Sequence, residues 1–247
     1  MNTNEIIQKA NSGDVDSMME LVSFYTEQKE WNEAIDWADK AAEAGNVNGM
    51  YKAANLHSLR MSSLLSGGMP FWGVMKEDAQ AIQKNAGVLL SACRNGHIDL
   101  NEDTYSHLLS LFKEALYCEA VTWYSDDTND YERAVHLIKD IDSTREQTLL
   151  GLCQFELSQH SEAIRILTTV YNDTAYVSAK KVPAEEAIYS TAMFALSVMT
   201  RMNGDLDKAV LILNRGIDGV TDIDMKTPLQ KELGRYQKKM FGGWKFS

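Results

Sequence analysis

Residues 14–25 read DVDSMMELVSFY, and residues 31–45 read WNEAIDWADKAAEAG. Val22 and Ala34 stand twelve positions apart, each able to face a close helix crossing, and Leu21 precedes the first. The same spacing separates Gly151 from Ala163 and Ser197 from Ala209, with Leu150 and Leu196 immediately upstream. Alanine followed by a β-branched residue marks the register at Ala34-Ile35, Ala81-Ile82, Ala134-Val135, Ala163-Ile164 and Ala209-Val210. Small residues at facing positions let two antiparallel helices approach to roughly 8–10 Å. The pattern therefore predicts a helical hairpin, repeated. One hairpin cannot bury its apolar faces alone, so neighbours must stack.

Composition agrees with this reading. Of 247 residues 45% are hydrophobic and 24% charged, which excludes wholesale disorder, and three prolines leave little for a turn-rich β architecture. The net charge of −11 is uneven. Residues 1–50 hold 10 acidic and 3 basic side chains, and residues 101–150 hold 11 and 4. An acidic body repels a phosphate backbone, so nucleic acid is not the expected partner. The opposite bias sits at 225–247, where Lys226, Lys231, Arg235, Lys238, Lys239 and Lys245 face Glu232 alone. Residues 1–10 lack the order of a signal peptide, and the uncharged run 187–200 is too short to span a bilayer. Cys93, Cys118 and Cys153 form no C-x-x-C pair, which fits a reducing cytoplasm.

The two quoted stretches resemble a tetratricopeptide repeat of the Sel-one-like variety. Leu150-Gly151 with Ala163, and the segment 190–216, resemble ordinary tetratricopeptide repeats. The resemblance implies a single all-α domain over 1–247, a superhelical solenoid of about five antiparallel helix pairs with a C-terminal capping helix. It also implies a non-catalytic scaffold that binds a protein or peptide in its concave groove. A regulatory peptide sensor, whose superhelix changes shape on binding, is the alternative.

Two segments depart from the repeat. Residues 61–75 carry eight apolar residues and no charge, and are expected as an inserted loop with Phe71 and Trp72 at its centre. Such a loop either anchors onto neighbouring helices or offers a patch to a partner. At 227–230 the order Thr, Pro, Leu, Gln predicts a helix start, and Leu229, Leu233, Tyr236 and Met240 continue it as one apolar stripe. The tail 240–247 then docks Phe241, Trp244 and Phe246 against that cap; binding of nucleic acid or anionic lipid is the alternative use of its basic and aromatic residues.

No chemistry-bearing motif accompanies the repeats. Gly67-Gly68 and Gly242-Gly243 precede no Lys-Ser or Lys-Thr, so no phosphate loop is present. His57, His97, His107, His136 and His160 have no metal-site spacing, and Cys118 and Cys153 read as core thiols. No catalytic residue, cofactor or metal is expected. The resemblance implies that the first helix of each pair lines the groove. Projected here, it assigns Tyr51, Asn55 and Ser58, then Arg145, Thr148, Leu152 and Phe155, then Phe194, Val198 and Arg201. The Lys/Asn/Arg clamp of chaperone-binding relatives is not reproduced among them.

Overall fold

A computed structural model describes residues 3–66, 72–125, 129–238 and 243–246. Its helices are α1 Thr3–Asn11, α2 Val15–Gln28, α3 Trp31–Glu43, α4 Val47–Ser66, α5 Trp72–Arg94, α6 Glu102–Ser125 and α7 Tyr131–Ile138. They continue as α8 Thr144–Glu156, α9 His160–Asn172, α10 Thr174–Ser178, α11 Pro183–Met202, α12 Leu206–Asp218 and α13 Ile223–Leu233. Strands β1 Tyr236–Lys238 and β2 Trp244–Phe246 form one antiparallel hairpin, with Tyr236 opposite Phe246. The fold is an all-α helical repeat. No helix among the described residues is long and apolar enough to cross a membrane.

The chain divides into two compact units, Met1–Glu119 and Ala120–Ser247. In the first, Asp14 caps α2 by accepting the Ser17 N–H at 3.2 Å. Lys29 closes α2 in the left-handed conformation at φ 61°, and Glu30 N–H returns to the Tyr25 carbonyl. That short turn brings α3 back along α2. Val22 and Ala34 are both buried, and Ala38, Ala41 and Ala42 let the next helix come close. Gly49 marks the α3–α4 crossing: a Cβ there would stand 2.7 Å from that of Ala41.

The second unit packs α8 with α9 and α11 with α12, and α11 also lies against α8, α9 and α13. The twelve-residue spacing becomes a contact, since the Ser197 hydroxyl donates to the Ala209 carbonyl at 3.2 Å. The turn at Asn203-Gly204-Asp205 forms as the sequence suggests, with Gly204 at φ 89° and Asp205 capping α12.

Two sequence expectations are corrected here. The 61–75 segment is largely helix: α4 runs on through Ser66 and α5 opens at Trp72. Leucine and methionine are good helix formers, so the two described ends of the uncharged run lengthen the helices flanking it; residues 67–71, Phe71 among them, lie outside the described residues. The cap helix begins at Ile223, not after Thr227, because Asp222 accepts the Asp224 N–H at 2.7 Å and starts it earlier. Pro228 therefore falls inside α13, and Tyr236 belongs to a strand instead of continuing the stripe. Met240 and Phe241 lie outside the described residues.

Candidate functional site

Within the first unit, α4 presents two different faces. On one, the Asn55 amide donates to the Tyr51 carbonyl at 2.7 Å, and its oxygen meets His107 Nε2 of α6 at 2.7 Å. The Tyr51 and His107 rings lie 6.1 Å apart, so His107 joins two of the projected groove residues. Ser58 is half-buried on the same helix.

The other face carries a buried charge network that no sequence spacing announces. His57 Nδ1 lies 2.6 Å from Asp78 Oδ1, and Nε2 lies 3.1 Å from Asp39 Oδ2. Arg60 closes the network on Asp78 at 2.6 Å and reaches the Asn32 side chain at 3.2 Å. Burial alone would lower the imidazole pKa, but the two carboxylates outweigh it and raise it to about 9. Both ring nitrogens are thereby committed, and neither is open to take a substrate proton. Arg60 also borders a cleft of about 550 Å³ lined by Trp31, Leu56, Leu59 and Ser63.

In the second unit the projected residues separate. Thr148 and Leu152 are corrected: both are wholly buried, because α7, α9 and α11 all pack against α8 and leave it little open surface. Arg145 is turned to carboxylates of this chain, Glu146 at 2.6 Å and Glu185 of α11 at 3.5 Å. Phe155 stacks on His160 across the α8–α9 turn, with ring centroids 5.6 Å apart. Cys153 is buried, which pushes its thiol up to about 12 and keeps it protonated, so it is no nucleophile.

Helix α11 is different. Four helices surround it, and almost every residue from Glu186 to Thr200 is buried. The exceptions are Ala187, Thr191, Phe194 and Val198, which with Arg201 follow at steps of three and four. That spacing puts them on one narrow strip. Phe194 and Val198 make its centre apolar. At its carboxyl end, Arg201 Nε faces Glu232 Oε1 of α13 at 3.7 Å.

No family model matches the chain, and no curated protein matches it. Among solved structures, YrrB, described as a TPR protein with an unusual peptide-binding site, is similar at 15% identity over 94% of this chain and 98% of its own, with a TM-score of 0.47.

Proposed function

We infer that this protein is a binding scaffold for a protein or peptide, and that the α11 strip is part of its binding face. One observation carries the reading: a helix enclosed by four others keeps a single open face, and that face is apolar at Phe194 and Val198. An apolar strip left half-open on an otherwise buried helix offers another molecule a contact. A few such anchors dominate the affinity of an interface. Arg145 and Arg201 already face carboxylates of this chain, so they favour an apolar ligand over an acidic one. The three free thiols support a reducing compartment.

Panning a displayed peptide library against the full chain tests the reading. Enriched peptides should carry apolar or aromatic anchors, and Phe194→Glu should abolish their capture while its melting temperature stays within a few degrees. Capture that survives Phe194→Glu, or no enrichment at all, overturns it.

A further inference from the structure

Strand β2 ends beside this strip. The Phe246 ring centre lies 3.9 Å from the Arg201 guanidinium carbon and 4.3 Å from that of Arg235. Its edge contact with Tyr236 spans 5.2 Å. Both guanidinium groups turn to the buried Glu232 carboxylate, Arg235 at 3.1 Å and Arg201 at 3.7 Å. The longer distance exceeds a hydrogen bond. Among the described residues, Arg201 Nε and Glu232 Oε1 are buried with no hydrogen-bond partner. Glu232 thus stands beside both cations without accepting from Arg201 Nε, and both guanidinium carbons lie over one aromatic ring. A guanidinium over a ring is attracted by the negative π face, and arginine stacks there better than lysine.

The ring that fills this place belongs to a small element. Phe246 is only half-buried and lies in a hairpin of three residues per strand. A hairpin of that size has little stability of its own. The hairpin is held by the packing of β2 on α12 and by the buried Tyr236 of β1.

We propose that the Arg201–Arg235 pair is a seat for an aromatic side chain of a peptide ligand, and that Phe246 occupies the seat when the ligand is absent. The proposal rests on the α11 strip being a binding face, and it names what the ligand brings to it. Phe246 demonstrates the chemistry that fits: an uncharged ring against two guanidinium groups. The strip sets the spacing of the ligand. Arg201 and Phe194 are seven residues apart on α11, a rise of about 10 Å at ~1.5 Å per residue. An extended peptide covers that in about three residues. The ligand therefore carries an aromatic anchor for the seat and a second apolar side chain about three residues away for Phe194. Binding must first lift Phe246, so the apparent affinity is reduced by the fraction of molecules whose seat is filled.

The test uses the full chain and a synthetic pentapeptide, Gly-Ser-Lys-Phe-Ser, which follows residues 243–247 with serine in place of tryptophan. Binding is read from the NMR shifts of the Arg201 and Arg235 Nε–Hε groups at millimolar peptide. Phe246→Ala should bind at least tenfold more tightly than the unsubstituted chain. Peptide with alanine for phenylalanine should not shift these signals, and adding Arg235→Ala should weaken binding tenfold or more. Should Phe246→Ala lose its helical circular dichroism, Phe246→Leu makes the same comparison, since it keeps apolar packing on Tyr236 but gives up the cation–π attraction and is displaced more easily. Equal binding to both proteins, or no shift in either Phe246 variant, overturns the proposal. So does a concentration-dependent dimer in which a second copy's strand fills the seat. A failed titration beside library capture that depends on Phe194 would sink the seat and leave the binding face standing; loss of both would sink the two together.

Discussion

The imidazole of His57 lies 2.6 Å from the wholly buried carboxylate of Asp78, with Asp39 on its other nitrogen and Arg60 behind Asp78. Residues from α3, α4 and α5 are thereby tied at one point. The tie needs the ring charged. Its pKa of about 9 in the folded chain lies above the ordinary 6.5. A raised value means stability that is full below about pH 6.5 and is lost as pH climbs through 9. The difference corresponds to about 3 kcal/mol. Urea titrations at pH 6, 8 and 9.5 should show the first unit weakening across that window. His57→Gln should be weaker at pH 6 and should not show the decline. A pH-independent midpoint in the unsubstituted chain would contradict it.

A different test concerns the α8–α9 crossing. A Cβ on Gly151 would overlap the Leu167 side chain, and Leu167 is itself buried. In an open helix, glycine to alanine stabilises by up to about 1 kcal/mol. Here overpacking should dominate, and Gly151→Ala should cost about 1–3 kcal/mol. Gly73, with nothing within 4 Å of such a Cβ, should respond in the opposite direction. Chemical denaturation of both variants checks the sign, and a stabilised Gly151→Ala would show that the crossing is looser than described.

Glu186 joins α11 to the turn before α13. Its carboxylate accepts the Thr221 hydroxyl at 2.6 Å, the Thr221 N–H at 3.2 Å and the Asp222 N–H at 3.0 Å. Burial would raise this carboxyl, but those donors, with Lys181 nearby, hold it below the usual range. The contribution is therefore present above about pH 4.5 and disappears as pH falls through the lowered value. Glu186→Ala should cost about 1.5–3 kcal/mol at pH 7, the usual loss for hydrogen bonds to a charged group. The cost should shrink on acidification, which paired melts at pH 7 and pH 3.5 would reveal.

The parts of the fold that were legible in the sequence are those written in local spacing. The twelve-residue interval from Ser197 to Ala209 requires only that two helices meet at small residues, and they do. Asn203-Gly204-Asp205 carries its own turn chemistry, so its place was readable too. Other features depend on partners that spacing does not reveal. Asp222 competes with Thr227 to start the last helix, and its earlier position decides the outcome. His57 and Asp78 are 21 residues apart on different helices, and nothing short of the α4–α5 packing brings them together. Projecting a groove onto α8 treated that helix as open on one side; three neighbours close around it, and Thr148 and Leu152 become core. Helix α11 keeps its strip because its buried residues leave one gap in the periodicity, visible only once burial is known.

The cysteines give the molecule a built-in clock. Cys118 falls within the first unit and Cys153 within the second, both buried, whereas Cys93 is partly open. A thiol reagent meets Cys93 at once but reaches the other two only when the surrounding helices part. Cys118 and Cys153 thus each report the parting of the helices around them through an atom the chain already possesses. The order in which Cys118 and Cys153 are modified, read by mass, is the order in which their surroundings open.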